Sequence, residues 1–367
     1  MKRLSVALLF GGKSGEHEVS LRSAASILQA LDRNRYHVIP VGITKRGEWR
    51  AGPAFSETDF PGTLEQGGSV FLPPHLGGQA KLHLLSGTAS SQADVKLDLV
   101  FPALHGTFGE DGTLQGMLEM ANIPYVGAGV LGSAAAMDKE VTKRLLRDAG
   151  LPIVDFVTTL DFQWKDDPKA VAGRIESTLG YPCFVKPANL GSSVGISKAR
   201  NLEELHRAMD LAVQFDRKVV IEKGINAREI ECSVLGNDQP LASLPGEIVP
   251  SNEFYDYQAK YLDEGSRLLI PAPLQPSQVQ IIQDLAVKTF VATECAGMAR
   301  VDFFIDKETS EISINEINTI PGFTSISMYP KLWEATGISY SVLLDRLIEL
   351  ALDRHRARQS KITSYQP

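Results

Sequence analysis

Segments with the residue patterns of strands and helices alternate along this 367-residue chain, and the alternation limits its possible folds more than any other feature. The apolar run Leu4–Phe10 predicts a buried strand. Glycines follow, and then a helix whose apolar residues recur at helical spacing, namely Leu21, Ala24, Leu28 and Leu31. His37–Thr44 predicts a second strand and completes a β-α-β unit. The pattern favours an α/β fold that begins with a doubly wound parallel sheet.

Length and charge restrict the partners that such a chain can have. The 367 residues are too many for one compact domain and fit two or three. The formal net charge is −7, and no long run of lysine and arginine is present. Binding DNA or RNA requires a strongly basic face, so a nucleic-acid partner is not expected. Any basic site should be local and suited to a small anion.

The N-terminal residues could be mistaken for a targeting segment. Lys2 and Arg3 precede an apolar run, but that run ends at Gly11 and no small-residue cleavage site follows it. No apolar stretch approaches the roughly 20 residues of a membrane span. The three cysteines lie far apart and fit no metal or redox spacing. These features predict a cytosolic protein without a membrane partner.

Further elements can be placed along the rest of the chain. Residues from about 46 to 93 are rich in Gly, Ser and Pro and are expected to hold little regular structure. A helix over 134–149 should end at Gly150, which is followed by Pro152. Other predicted strands lie at 97–104, 183–186, 218–222 and 229–235. One further predicted helix ends at Gly180, and others span 201–215, about 277–296 and 340–354.

A hairpin over 299–305 and 311–318 carries the strongest chemical signal. Because side chains alternate along a strand, Arg300 and Asp302 share a face, and so do Glu316 and Asn318. Two carboxylates and a carboxamide suit a hard cation such as Mg²⁺. A solvated hairpin with a surface ion pair is the alternative. It is disfavoured because the other face is expected to be apolar, with Phe303, Ile305, Ile312, Ile314 and Ile317.

A second signal is Lys186, at the end of a predicted strand, followed by the glycine- and serine-rich loop 191–195. Backbone N–H groups of such a loop can approach phosphate oxygens, and the lysine adds a positive charge. A flexible connection is the alternative. The chain is not a P-loop NTPase, because Gly12-Lys13-Ser14 lacks the required glycine five residues earlier, where Ala7 stands.

Two weaker signals lie elsewhere. The stretch 255–261 is too polar for a core strand and too aromatic for a linker, which predicts a lid over a polar ligand or an Ω-loop packed on itself. Glu16 follows the first strand, where doubly wound sheets bind ligands, although a surface glutamate at a helix entry is the commoner case.

Taken in order, these motifs resemble the D-alanine–D-alanine ligases of the ATP-grasp superfamily. The resemblance spans nearly the whole chain and is carried by residues 11–20, 105–112, 137–139, 186–187, 191–195, 222–223, 229, 255–261, 300–302 and 316–322. It implies three domains: a substrate-binding α/β domain (1–127), a central ATP-grasp domain (128–222) and a C-terminal catalytic domain (223–367). It also implies ATP and D-alanine as substrates, two Mg²⁺ or Mn²⁺ ions, a homodimer, and a role in peptidoglycan precursor synthesis.

The resemblance assigns a role to individual residues. Lys139, Lys186 and Ser193 are implied to bind the phosphates of ATP. The adenine and ribose pocket is implied to be lined by Glu222, Lys223 and Glu229. The implied metal ligands are Asp302, Glu316 and Asn318. Glu16 is implied to pair with the ammonium of the first D-alanine, and Lys260 to support the acyl phosphate. Ser327 is implied to bind the carboxylate of the second D-alanine, and the substrate-binding residues also include His105 and Met328.

Arg300 and the N–H of Gly322 are expected to receive the charge of a tetrahedral intermediate, so Arg300→Ala should remove most activity while leaving the fold intact. The family links Glu16, Ser192 and Tyr261 by hydrogen bonds, and Tyr261 favours D-alanine over D-lactate as acceptor. No residue is identified as the base for the second amine. A ligase with a different second substrate and a non-catalytic nucleotide sensor are the competing interpretations.

Overall fold

The computed structural model describes residues 3–51, 60–74, 81–84, 95–192, 194–250 and 267–362. The first part of the chain contains the strands Leu4–Gly11 (β1), Tyr36–Ile43 (β2), Trp49–Ala51 (β3), Gly68–Phe71 (β4), Lys81–Leu84 (β5), Val95–Lys96 (β6) and Leu99–Pro102 (β7). Its helices are His17–Ala30 (α1), Phe60–Gln66 (α2) and Thr113–Met120 (α3).

The described strands of this part form one sheet in the order β6-β5-β4-β3-β2-β1-β7. Its centre is parallel, since β1 pairs in parallel with both β2 and β7, and the predicted β-α-β unit is confirmed. The expectation of little regular structure over 46–93 is wrong, because β3, α2, β4 and β5 lie there. A tight turn with Gly47 at φ +87° reverses the chain, so that β3 pairs antiparallel with β2 and extends the sheet.

The second part contains the helices Val130–Met137 (α4), Lys139–Asp148 (α5), Asp161–Asp166 (α6), Pro168–Leu179 (α7) and Leu202–Ala212 (α8). Its strands are Phe156–Leu160 (β8), Cys183–Pro187 (β9), Ser197–Ala199 (β10) and Lys218–Lys223 (β11). They form an antiparallel sheet in the order β10-β9-β11-β8. The predicted strands at 183–186 and 218–222 are thereby confirmed.

The prediction of one continuous helix over 134–149 is wrong, since α4 and α5 are separated at Asp138. This residue is extended, with ψ 105°, and its carboxylate accepts the backbone N–H groups of Glu140 and Val141, both at 3.1 Å. An aspartate that satisfies these N–H groups starts a new helix, here with Lys139 as its first residue. The break therefore fixes the position of a residue expected to bind phosphate.

The third part contains the strands Ala227–Gly236 (β12), Leu241–Ala242 (β13), Gly246–Val249 (β14), Arg267–Leu269 (β15), Gly297–Asp306 (β16) and Ile312–Asn318 (β17). Its helices are Pro276–Ala292 (α9), Met328–Ala335 (α10) and Tyr340–Gln359 (α11). The sheet order is β15-β14-β12-β16-β17, with β13 paired to β12. The predicted hairpin is confirmed, because β16 and β17 pair antiparallel.

A shared hydrophobic core joins the C-terminal helix to the first sheet. Leu8 and Phe10 of β1 are buried in the same cluster as Leu343 and Leu347 of α11. Each such side chain contributes about 1.5–3 kcal/mol when fully buried. The core holds the loops that follow β1, β7 and β17 close together, and these loops carry the predicted site residues Glu16, His105, Gly322 and Ser327. Across the described ranges, every helix is too short or too polar to cross a lipid bilayer.

Candidate active site

A cavity of about 640 Å³ lies where these loops meet. Glu16 and His105 reach it because they follow the carboxyl ends of the parallel strands β1 and β7, the edge at which open α/β sheets bind ligands. The cavity collects ten of the predicted residues: Glu16, His105, Lys139, Ser192, Arg300, Glu316, Asn318, Gly322, Ser327 and Met328.

The polar face of the hairpin has the predicted register, with Arg300 opposite Asn318 and Asp302 opposite Glu316. The register shifts between Asp302 and Phe303, and Phe303 pairs with Ile314. If side chains alternated strictly along β17, Ile314 would lie on the same polar face as Glu316. Asn315 is an extra residue in this strand, so Ile314 lies on the opposite face, where it is fully buried. The bulge therefore explains how the hairpin keeps one polar and one apolar face.

Arg300 contacts acids of its own strand and of the neighbouring strand β12. Its Nε and Nη2 donate to the two oxygens of Asp302, each at 2.7 Å, and its Nε lies 3.0 Å from Glu231 Oε2. Glu231 stands opposite Asp302 in the register, so Glu231, Asp302 and Glu316 form a row across β12, β16 and β17. Burial alone would lower the pKa of Arg300, but Asp302 and Glu231 outweigh burial and raise that pKa well above its ordinary value. Arg300 is a permanent cation facing the cavity.

On the facing strand β17, the same polar face carries candidate metal ligands. Asn318 Oδ1 is buried and has no hydrogen-bond partner among the described residues, and Glu316 lines the cavity beside it. An unpaired buried carbonyl oxygen is costly unless a ligand completes it. No cluster of three His, Cys, Asp or Glu residues in the described ranges could hold a metal, and Asp302 is bound by Arg300. The candidate donors are thus the amide oxygen of Asn318 and the adjacent carboxylate of Glu316, while both oxygens of Asp302 accept hydrogen bonds from Arg300.

Glu16 connects the first sheet to the glycine-rich loop. Ser192 Oγ donates a hydrogen bond to Glu16 Oε1. The carboxylate fits between two loops because both have glycines there: a Cβ would lie 2.7 Å from Glu16 Oε2 if built on Gly106 and 3.1 Å if built on Gly191. The structure thus brings together two members of the expected hydrogen-bonded trio Glu16, Ser192 and Tyr261.

His105 is buried and uses both ring nitrogens within the protein. Its Nδ1 lies 3.0 Å from the carbonyl of Ile320 and its Nε2 lies 3.0 Å from Ser23 Oγ. Because a carbonyl can only accept, the proton lies on Nδ1 and Nε2 accepts from Ser23. Burial lowers the pKa of His105, which keeps the ring neutral. His105 therefore fixes the loop after β17 against the loop after β7.

On the other side of the cavity, Lys186 and Glu222 form a buried ion pair. Lys186 Nζ lies 2.8 Å from Glu222 Oε2 and 3.5 Å from Asn315 Oδ1. Lys143 approaches the second oxygen of Glu222, at 3.2 Å. Burial would raise the pKa of Glu222, but Lys143 and Lys186 outweigh it and hold that pKa at about 2. Lys139, nearer the cavity, donates from Nζ to the carbonyl of Leu190 at 2.6 Å.

Ser327 and Met328 begin α10, whose N-terminus faces the cavity. Ser327 Oγ accepts the N–H of Thr324 at 3.0 Å and lies 2.8 Å from Thr324 Oγ1. A Cβ on Gly322 would lie 2.7 Å from Ser327 Oγ, so only glycine fits there without moving that hydroxyl. The N-terminus of a helix favours an anionic group, which suits a substrate carboxylate.

Comparison with known proteins identifies the family to which the chain belongs. The family model described as D-ala D-ala ligase N-terminus matches residues 5–128, and the one described as D-ala D-ala ligase C-terminus matches residues 145–349. The chain belongs to the D-alanine–D-alanine ligase family.

Individual members of the family are similar over their full length. The D-alanine–D-alanine ligase of Heliobacterium modesticaldum is 51% identical over 367 residues, which cover 100% of both chains. The solved structure of the D-alanine–D-alanine ligase from Coxiella burnetii has a TM-score of 0.86 at 38% identity and covers 98% of this chain and 97% of that one. The VanG D-Ala:D-Ser ligase of Enterococcus faecalis has a TM-score of 0.83 at 38% identity, covering 95% and 100%. The predicted α/β ATP-grasp fold is confirmed.

Some predicted ligase residues do not line the cavity. Lys223 is exposed at the end of β11, and Glu229 is half-buried on β12. Asp302, Lys186 and Glu222 reach the cavity only through the neighbours that they contact. The predicted residues that lie outside the described ranges are Ser193, Lys260 and Tyr261, together with the proposed lid at 255–261.

Sequence reasoning missed Glu110, a buried carboxyl in the loop after β7. Its oxygens accept the N–H of Gly106 at 2.7 Å and the N–H of Ile320 at 3.0 Å, which joins the loops after β7 and β17. Burial, reinforced by the nearby charge of Glu16, raises the pKa of Glu110 to about 8, although the two backbone hydrogen bonds oppose the shift. Nothing in the local sequence distinguishes Glu110 from a surface acid.

The raised pKa of Glu110 predicts a pH-dependent stability. The folded state keeps a proton that the unfolded state releases above the ordinary value of 4.5, so the parent protein should lose stability as the pH rises from 4.5 to 8. Glu110→Gln cannot titrate and should lose less. The unfolding free energy of Glu110→Gln minus that of the parent should therefore increase by about 1 kcal/mol or more from pH 5 to pH 8. Urea unfolding at each pH measures this difference.

The matched control is Glu334→Gln, at an exposed position in α10. Its effect on the unfolding free energy should be the same at every pH. A constant difference between Glu110→Gln and the parent from pH 5 to 8 would contradict the raised pKa.

Proposed function

We propose that this chain joins two D-alanine molecules into D-alanyl-D-alanine with the hydrolysis of ATP to ADP and phosphate, as an acid–amino-acid ligase of peptidoglycan precursor synthesis. The observation that carries the proposal is one cavity lined by Glu16, Arg300 and Gly322, with the donors Glu316 and Asn318 at its wall. The full-length similarity to enzymes named D-alanine–D-alanine ligase supports the choice of substrates.

The chemistry proceeds in two steps. The carboxylate of the first D-alanine attacks the γ-phosphorus of ATP, which forms an acyl phosphate and releases ADP. The amine of the second D-alanine then attacks the acyl carbon, and the resulting tetrahedral intermediate expels phosphate. Glu16 holds the ammonium of the first D-alanine, and its hydrogen bond from Ser192 orients the carboxylate. Arg300 and the N–H of Gly322 stabilise the oxyanion of the tetrahedral intermediate.

The nucleotide and the metal complete the site. Lys139, Lys186 and Ser193 would bind the ATP phosphates, while Glu222, Lys223 and Glu229 would line the adenine and ribose pocket. Two Mg²⁺ or Mn²⁺ ions would be held by Glu316, Asn318 and Asp302, which fits Asn318 Oδ1, a buried oxygen with no hydrogen-bond partner in the described part of the chain. When bound, these ions neutralise charge on the phosphoryl group in transfer.

The second substrate is proposed to bind at Ser327 and Met328, at the N-terminus of α10, with Lys260 supporting the acyl phosphate. Tyr261→Phe tests whether the tyrosine hydroxyl selects the acceptor. We expect the ratio of D-alanyl-D-alanine to D-alanyl-D-lactate to fall when both acceptors compete, as measured by mass spectrometry of the products. An unchanged ratio would remove Tyr261 from acceptor selection.

The function as a whole is tested by ADP release from the purified protein with Mg²⁺. ADP formation that depends on D-alanine and yields the dipeptide supports the proposal. Faster turnover with D-serine or D-lactate as the second substrate would make this a ligase of a different product. ADP release without any amino acid would indicate an ATPase, and ATP binding without release would indicate a nucleotide sensor.

The proposal extends to organisation. The three sheets suit a division into an N-terminal substrate-binding domain (1–127), a central domain (128–222) and a C-terminal catalytic domain (223–367), with the shared core of β1 and α11 joining the first to the third. The protein would act as a homodimer in the cytoplasm, where ATP is available. Sedimentation of the purified chain measures the oligomeric state.

A further inference from the structure

Lys143 is a buried lysine for which the proposed reaction has no use. Its side chain is 1% exposed, on α5, and its ammonium lies 5.8 Å from the ring centroid of Phe156. Among the described residues, its Nζ has an ion pair with Glu222 Oε1 at 3.2 Å but no hydrogen bond. Burial lowers the pKa of Lys143. A charge in such a place is costly, so its compensation is to be sought in the groups that it contacts.

The role of Lys143 can be read from the charges around Glu222. Lys143 contacts one oxygen of this carboxylate and Lys186 contacts the other, at 2.8 Å. The Glu222 side chain is 3% exposed, so both contacts are made away from water. Two ammonium groups on one carboxylate leave a net positive charge. Lys186 is the more exposed lysine, at 10%, and lies beside Asn315 of the cavity wall. The excess positive charge therefore lies on the ammonium of Lys186, on the side where the nucleotide is proposed to bind.

We propose that Lys143 is a positioning residue for the nucleotide: it neutralises Glu222, so that the ammonium of Lys186 remains available to the phosphates of ATP. This inference rests on the proposed function, which assigns Lys186 to those phosphates. Without Lys143, Glu222 and Lys186 form a closed one-to-one pair in a low-dielectric site, and a phosphate must compete with a full carboxylate for the same ammonium.

A double-mutant cycle tests the inference through ATP binding rather than turnover. Lys143→Met keeps the length of the side chain and removes its charge, while Glu222→Gln removes the carboxylate with which Lys143 pairs. We expect Lys143→Met to raise the Kd for ATP with Mg²⁺ about tenfold in the parent background, measured by calorimetry without D-alanine. In the Glu222→Gln background the same change should alter Kd less than about twofold, because nothing is left to neutralise.

The matched control is Lys165→Met, which removes an exposed lysine paired with Asp161 and should leave Kd for ATP unchanged. A general loss of structure would also weaken D-alanine binding, so the KM for D-alanine should stay within about twofold in Lys143→Met. If Lys143→Met does not fold, Lys143→Gln takes its place in the cycle, because it also removes the positive charge that balances Glu222.

An equal rise in Kd in both backgrounds, or no rise in the parent background, would overturn the role of Lys143 and leave the proposed function standing. Failure of the unmutated protein to bind ATP would overturn the proposed function, and the role of Lys143 with it.

Discussion

Arg300→Lys is expected to slow ligation by about 10²–10³-fold while the protein stays folded. Arginine presents a rigid planar fork, and here Nε and Nη2 grip both oxygens of Asp302 at 2.7 Å. A lysine keeps the positive charge near Glu231 and Asp302 but cannot hold that carboxylate at two points or direct a fixed N–H toward an oxyanion. The measurement is kcat for D-alanine-dependent phosphate release, together with the Kd for ATP, which should change only a few-fold.

The matched control for this variant is Arg228→Lys. Arg228 lies on β12 of the same sheet and grips Glu247 through two hydrogen bonds, at 2.8 and 2.7 Å, but does not line the cavity. Its replacement should leave kcat within about twofold of the parent, since neither Arg228 nor Glu247 lines the cavity. Turnover of Arg300→Lys within a few-fold of the parent would remove Arg300 from the chemical step.

Arg300→Ala adds a stability effect to the catalytic one. The sequence alone predicts that the fold remains intact, but Arg300 compensates the buried acid Glu231 and the partly buried acid Asp302. Removing one partner of a buried ion pair costs about 3–5 kcal/mol because the remaining charge is left unpaired. Arg300→Ala should therefore unfold at lower urea concentration than Arg300→Lys. Catalysis is therefore best measured in Arg300→Lys, in which these acids keep a positive partner.

The parts of the site that the sequence predicted are those governed by local rules. Arg300, Asp302, Glu316 and Asn318 could be placed on one face because alternation along a strand and a short hairpin turn determine their positions. The loops after β1 and β7 could be placed near each other because parallel strands end at the same edge. Glu16 and His105 are brought together by that rule.

The parts that it missed depend on contacts between distant segments. Glu231 matters because β12 pairs with β16, and only the register shows that it stands opposite Asp302. Lys143 and Glu110 have ordinary local sequences, and burial against other segments gives them their properties. The strands within 46–93 were missed because pairing to an existing sheet edge overrides a Gly-, Ser- and Pro-rich composition.

The sequence also did not predict two breaks in regular elements, one in a helix and one in a strand. One aspartate side chain divides the predicted helix over 134–149, because an N-cap hydrogen bond starts a second helix at Lys139. The bulge at Asn315 reverses the alternation of β17 and brings that residue to Lys186. Both irregularities lie beside the cavity. Helical periodicity and strand alternation are interrupted there because single side chains have to be placed in the site.

Asn318→Leu is expected to stabilise the ligand-free protein and to abolish metal-dependent turnover. Asn318 Oδ1 is buried without a hydrogen-bond partner in the described residues, so an apolar side chain of similar size removes a desolvated polar group. The unfolding free energy should rise by about 1–3 kcal/mol. Turnover should fall by about 10³-fold or more, because metal ligation supplies several kcal/mol of transition-state stabilisation.

The control for Asn318→Leu is the same substitution at Asn237, which follows β12 in the same sheet. Asn237 donates to the carbonyl of Leu350 at 3.0 Å and accepts the N–H of Gly297 at 3.2 Å, so its replacement should destabilise the fold without affecting turnover. Thermal unfolding with Mg²⁺ and a non-hydrolysable ATP analogue separates the two effects. The parent and Asn237→Leu should gain Tm with this mixture, and Asn318→Leu should gain far less. A loss of stability in ligand-free Asn318→Leu, or an undiminished Tm gain with Mg²⁺ and the analogue, would mean that Asn318 is a structural residue and not a metal ligand.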